Sequence, residues 1–271
     1  MNINTLKADC KNCFGFCCIA LYFSKSEGFP VNKDSGKPCP NLNTDFKCKV
    51  HSKLSKLGLK GCIAYDCFGA GQQTAWITYG GKDWRKYPET ADEMFKVFLI
   101  MHKLHEMLWY LSEAVLLESS PELLKIINET IEITNLKAES ILKIDIDSHR
   151  EKVNILLLKT SKLIQNRYKT KKSALKYKRL FGGAYDMVGK DLRKVDLAGE
   201  NLSGAYMIAA NLSGVDLSGT DLLGADLRDA DLSDANLTNS IYITQGQINS
   251  AKGNKGTKLP YYITVPRHFE K

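Results

Sequence analysis

Eight cysteines, Cys10, Cys13, Cys17, Cys18, Cys39, Cys48, Cys62 and Cys67, fall within the first quarter of a 271-residue chain. A thiolate is a nucleophile, a redox group or a soft metal ligand, and its surroundings decide which. Cys10 and Cys13 are separated by two residues, the spacing at which one tight turn presents two thiolates to one metal. Cys17 and Cys18 are adjacent and point in different directions, which suits a centre of several metal atoms, or two neighbouring sites, better than a single tetrahedral finger. All eight are therefore candidate ligands, because so many thiols in so short a stretch exceed ordinary core use. Iron–sulfur chemistry is placed first and zinc second, and His51 could replace one sulfur in either. A histidine with no metal role accounts for His51 more simply.

The order of motifs carries a resemblance. Cys10-x2-Cys13-x3-Cys17-Cys18 is followed by Pro38-Cys39-Pro40-Asn41-Leu42, by Phe46-Lys47-Cys48-Lys49-Val50-His51, and by Gly61-Cys62-x4-Cys67. This resembles the YkgJ-type family of zinc- or iron-chelating cysteine clusters, which share a Cys-Cys pair, a Cys-Pro-x-Leu step, a lone Cys before a short helix and a closing Cys pair. The likeness spans roughly residues 10 to 70. It breaks after Cys48, where the family usually carries Arg-Pro and this chain reads Lys56-Leu57-Gly58-Leu59-Lys60-Gly61. The run Phe68-Gly69-Ala70-Gly71-Gln72 lacks the framing of a nucleotide fingerprint; its glycines fit a backbone that wraps closely past the sulfurs and donates N–H groups to them.

Three kinds of element must position this head. Residues 90 to about 117 have the periodicity of a long helix, with Met94, Phe98, Met101, His105 and Leu108 on one stripe and Thr90 with Glu93 as a capping box. His102 and His105 are expected at the rim of its packed face. Ser120 and Pro121 start a second helix, and a third runs from about Asp147 to Arg167 over Val153, Leu156, Leu157, Leu163 and Ile164. Together they are expected to form a small bundle. The net charge is +8, yet the stretch between Glu151 and Asp186 has ten Lys and Arg and no acid, leaving the rest at −2. Nucleic acid contact through Lys159 to Arg179 is open, but a solvated linker or helix face explains the run better.

From Lys190 onward the period is five. Leu192, Leu197, Leu202, Met207, Leu212, Leu217, Leu222, Leu227, Leu232, Leu237 and Tyr242 hold one phase, with small apolar residues such as Ala205, Val215 and Ala235 two positions earlier. Five fits neither the 3.6 of a helix nor the 2 of a strand, so one face can be kept inward only if the chain turns after every unit. The pattern resembles the pentapeptide-repeat family, which implies a right-handed quadrilateral β-helix of four units per coil. Lys190 and Glu200 occupy the small inward position, so the first coil is expected to be imperfect. Thr244–Ala251 with Leu259-Pro260 resembles the helical ending of such repeats, and a solenoid needs a cap. Some members of the family mimic DNA and protect gyrase, but fewer than three coils make a short rod for that role. The cysteine segment also looks like the head found on a subset of bacterial pentapeptide-repeat proteins.

The expected organisation is a cysteine-rich metal-binding head at residues 1–80, a helical bundle with basic linker at 81–185, and a β-helix with its cap at 186–271. The N-terminal residues do not read as a secretory signal and no apolar run suffices for a membrane span, so a cytoplasmic setting without membrane attachment is expected, where clustered cysteines are ligands rather than disulfides. No nucleophile–base pair, phosphate loop or recognisable carboxylate pair is present, and any catalysis would reside in the metal. The reading is a metal-binding sensor, carrier or accessory protein that docks an unknown protein on its rod. Its rivals are a redox enzyme and a gyrase-protecting DNA mimic, and a homodimer is open.

Overall fold

The computed structural model describes residues 3–168, 175–180 and 182–270. They gather into two compact units, Met1–Leu157 and Leu158–Lys271. Lys169, Lys171 and Lys172 of the basic run lie outside the described residues. No helix among the described residues is long and apolar enough to cross a membrane.

The first unit contains helices α1 (Phe16–Ala20), α2 (Lys60–Ala64), α3 (Ala70–Gln72), α4 (Ala91–Leu117), α5 (Pro121–Thr134) and α6 (Ala138–Ile141), and most of α7 (Ile146–Tyr168). A π-helical turn, Gln73–Thr78, follows α3 directly. α4 is the hub, because Met94, Val97, Phe98, Met101, Leu104, Leu108 and Leu111 are all fully buried and must be covered on several faces. α1, α3, α5, α6 and the π-helical turn pack against it. Phe16 of α1 stacks on Phe98 of α4 with ring centroids 5.2 Å apart, in one core with Ile19, Ala70, Ala75 and Ile141.

The capping box expected at Thr90 and Glu93 is not formed. Thr90 donates its hydroxyl to the Tyr87 carbonyl at 2.9 Å, and Glu93 accepts from the Tyr79 phenol at 2.9 Å. A preceding turn at Pro88–Thr90 brings the Tyr87 carbonyl within reach and diverts the Thr90 hydroxyl from its cap. Ser120 does cap α5, accepting from Leu123 N at 3.3 Å. Between α5 and α7, the Thr130 hydroxyl lies 2.7 Å from the Ile126 carbonyl and 2.9 Å from His149 Nε2, while His149 Nδ1 lies 3.5 Å from the Glu129 carboxylate.

His102 and His105 grip the chain around Cys67. His102 Nε2 lies 2.9 Å from the Asp66 carbonyl and His105 Nδ1 lies 2.7 Å from the Phe68 carbonyl, so each ring donates to a backbone oxygen. His105 is buried, and that burial first, partly offset by its bond to Phe68, pushes its imidazole down to about 4.

In the second unit the expected right-handed β-helix is corrected: among the described residues there is no strand of two or more residues and no sheet. The repeats form a coil of turns joined by single-residue parallel bridges, such as Asp191 to Asn211 and Asp221 to Ile241, each spanning twenty residues. The reason is the length of the repeat. Each unit spends most of its residues closing a turn, as where Ala205 N bonds the Leu202 carbonyl at 3.0 Å around Gly204 at φ +65°, which leaves one residue to bridge its neighbour. The phase residues Leu192 to Leu237 and Tyr242 are buried to 1% exposure or less, so the inward set stands as read. The outward Asp and Asn fold back on their own turns: Asn201, Asp216 and Asp226 accept from the backbone N two residues on, at 2.9, 3.1 and 3.1 Å.

The first coil keeps its backbone pattern at both departures, with Lys190 N bonded to Met187 O at 3.1 Å and Glu200 N to Leu197 O at 3.0 Å. α8 (Gln245–Ser250) closes the far end through a capping box between Thr244 and Gln247. Gln247 also donates to the Leu222 and Ala225 carbonyls at 2.8 Å each, so the cap satisfies acceptors of the coil. From Leu158 onward α7 lies in this unit, where Ser161 donates to the buried Asp221 carboxylate and Tyr168 covers Gly219.

Two outcomes follow. Leu222→Ala, which empties one layer of the coil, is expected to cost about 2–5 kcal/mol, measured as a lowered denaturation midpoint. For His105, the unfolded chain takes up its proton first as pH falls, so stability present above pH 6.5 drains away towards about pH 4. In the metal-free chain, His105→Gln should flatten that slope in melting experiments across this range.

Candidate metal centre

The cysteines arrive on five short pieces of backbone. Cys10 opens a 3₁₀ turn, Cys10–Asn12, whose Asp9 accepts from Lys11 N at 3.1 Å and from the Asn12 amide at 2.7 Å. Cys17 and Cys18 lie in α1 and Cys62 in α2. Cys48 pairs through a single antiparallel bridge with Leu42, and Cys67 precedes Gly69 and α3. α1 starts at Gly15, whose left-handed φ of +66° suits glycine and whose added Cβ would fall 2.6 Å from a Leu42 methyl.

These pieces enclose a cavity of about 160 Å³ lined by Cys10, Cys13, Cys17, Cys18, Cys48, Cys62 and Cys67, with His51 at its wall. That is many times the ~10–15 Å³ that one water needs. Cys39 is not on the wall. It is buried, its thiol beside that of Cys18, and its N–H reaches the Cys18 carbonyl at 2.9 Å.

Backbone N–H groups of Phe16 and Gly15 near Cys13, of Gly71 and Gly69 near Cys67 and of Asn41 near Cys39 each favour the thiolate. Gly71 is the close approach that the glycine run suggests, since a Cβ there would sit 2.6 Å from Cys13 Sγ. Burial dominates the opposite tendency and pushes Cys13 up to about 12 and Cys62 and Cys67 up to about 11, and neighbouring thiols and Asp66 add to it. Cys10 is raised for the same first reason, with Asp9, Asp66 and Cys48 contributing. Several thiolates in one apolar cavity repel each other, and a cation is what would let them ionise together.

Soft donors gathered on one cavity wall and a backbone free of Cβ beside Cys13 fit a thiophilic metal. Spacing is less ready than chemistry: among the described residues no group of three or more His, Cys, Asp or Glu side chains is assembled for a metal ion. All eight thiols are free of disulfides.

Sequence reading passed over four side chains here. Lys33 is buried; it donates to the Ile19, Leu21 and Asp34 carbonyls and lies 4.5 Å from the Phe23 ring centroid, with Cys39, Cys18 and Cys17 in electrostatic reach. Gln72 clamps the N-terminal segment, accepting from Asp9 N at 3.1 Å and donating to the Lys7 carbonyl at 2.8 Å. Trp84 ties down Phe14 by donating to its carbonyl at 2.8 Å. Tyr65 lines the cavity, and its position between Cys62 and Cys67 was the available signal. The other three meet the site only through the fold.

Comparison with known proteins gives two findings. The family model for pentapeptide repeats matches eight copies, over residues 186–222 and 205–241. The uncharacterized protein YybG of Bacillus subtilis (strain 168) is 51% identical over 269 residues, covering 98% of this chain and 95% of that protein. Neither bears on the YkgJ-type resemblance of the cysteine segment. With identity of this level along nearly the whole chain, the protein belongs to the same family as YybG and carries pentapeptide repeats.

Proposed function

We propose that the cysteine-lined cavity holds a thiolate-bound metal centre, iron–sulfur in the first place and zinc in the second, and that the chain works as a metal-dependent sensor, carrier or accessory protein. The observation that carries this is the convergence of seven of eight cysteines on one cavity wall. One zinc ion takes four ligands, so seven thiols favour a polynuclear centre. The same supply of thiols accords with the resemblance to metal-chelating cysteine clusters.

Cys10, Cys13, Cys17, Cys18, Cys48, Cys62 and Cys67 would hold the metal, with His51 as an alternative donor. Cys39 would support Cys18 from behind. When bound, the metal supplies the positive charge that lets neighbouring thiols ionise. Because the ligands are not gathered in advance, metal binding and ordering of the head are coupled. A reducing cytoplasm, which keeps the thiols free, is part of this proposal. The coil would serve as the docking face for a protein partner, and Arg179, which donates to the Gly183 carbonyl at 2.8 Å and packs over Tyr185, gives nucleic acid less to bind.

Protein purified without oxygen should contain iron with acid-labile sulfide, or else stoichiometric zinc. Cys17→Ser should lower that content, whereas Cys39→Ser should retain more of it. A preparation that holds neither metal and titrates eight free thiols overturns the proposal. Because burial pushes Cys13 up to about 12 and Cys62 and Cys67 up to about 11, metal must displace protons from them. Uptake should therefore release acid and weaken steeply between pH 8 and pH 6 in a competition titration.

A further inference from the structure

Tyr65 presents a polar group that the protein leaves unmatched. Its ring lines the cysteine cavity, yet its hydroxyl is buried and has no hydrogen-bond partner. A buried hydroxyl without a partner costs stability, and such groups are rare enough in native proteins to require a reason. The ring is also held in place. It stacks on His102, centroids 5.3 Å apart and planes 14° from parallel, while His102 is anchored on the Asp66 carbonyl at 2.9 Å. Tyr65 N bonds the Gly61 carbonyl at 3.2 Å, closing α2. The ring thus lines the same cavity as Cys13, Cys17 and Cys67, and its hydroxyl, shut away from water, lies within electrostatic reach of those three thiols.

We infer that Tyr65 donates its phenol O–H to a sulfur of the thiolate-bound centre, acting as a positioning and tuning residue and not as a ligand. The inference rests on the proposed metal centre. An ionised, metal-bound sulfur is a far better acceptor than a neutral thiol, so the hydroxyl finds its partner only when metal is bound. Donation lowers the energy of the sulfur lone pairs and weakens their transfer of charge to the metal. His102, by stacking, sets the direction of the O–H.

The test uses the full chain loaded with Co(II) under anaerobic conditions, with Tyr65→Phe as the variant and Tyr79→Phe as a control, since Tyr79 bonds Glu93 instead. Tyr65→Phe should bind as much Co(II) as the unaltered chain. Its sulfur-to-cobalt charge-transfer band should move to lower energy, while Tyr79→Phe leaves it unchanged. Equal loading with the same band overturns the inference and leaves the metal centre standing. An unaltered chain that takes up no Co(II) and also holds neither iron nor zinc removes the metal centre itself, and the role of Tyr65 with it. In the metal-free state Tyr65→Phe should melt no lower than the unaltered chain. A lower melting point also overturns the inference, because a hydroxyl with no partner has no bond to lose.

Discussion

The first unit depends on the burial of α4. A helix whose Met94, Val97, Phe98, Met101, Leu104, Leu108 and Leu111 are all shielded from water must be covered on more than one side, and the short segments that carry the cysteines provide much of that cover. α1 is pressed onto it through Phe16 and Ile19, and α3 through Ala70. These pieces are too short to hold a helical conformation alone, since isolated helices of under about a dozen residues are marginal in water. Their shape, and so the meeting of their thiols, is borrowed from contact with α4.

Polar contacts then fix what apolar packing leaves loose. Loop backbone cannot be buried with unsatisfied carbonyls, and long side chains reach in to bond them: Trp84 to Phe14, Lys33 to Ile19 and Asp34, and His102 and His105 to the residues on either side of Cys67. The two histidines show how a residue type suggestive of metal binding can be used up on backbone. Each has its bonding nitrogen committed to a carbonyl. The thiols receive a different treatment: burial raises Cys13 and Cys67 against the pull of nearby backbone N–H groups, and Lys33 puts positive charge within electrostatic reach of Cys39, Cys18 and Cys17.

In the second unit one constraint, the five-residue period, organises everything from Lys190 onward. It stacks Leu on Leu, places Asp and Asn where they close their own turns, and returns the chain over itself every twenty residues. The same brevity prevents strands, because a unit consumed by its turn has one residue left to bridge. Thr220, a polar residue at an inward position, is accommodated by a bond across coils, donating to the Leu197 carbonyl 23 residues earlier at 2.7 Å.

Periodicity in the sequence determined much of this. The inward register of the coil, the helices beginning at Ser120 and near Ala91, and the candidate thiols were all legible, because each depends on residues close together along the chain. The β-helix was expected wrongly, because repeat length marks where the chain turns and says nothing of how many consecutive residues pair. The capping box at Thr90 failed for a similar reason: spacing offered a partner, and the Tyr87 carbonyl offered a nearer one. Only tertiary structure decided which cysteines share a wall, that Cys39 stands behind it, and that Lys33 and Tyr65 stand among the thiols. Those relations join residues tens of positions apart, and they come from the packing of separate segments on α4, which no local pattern encodes.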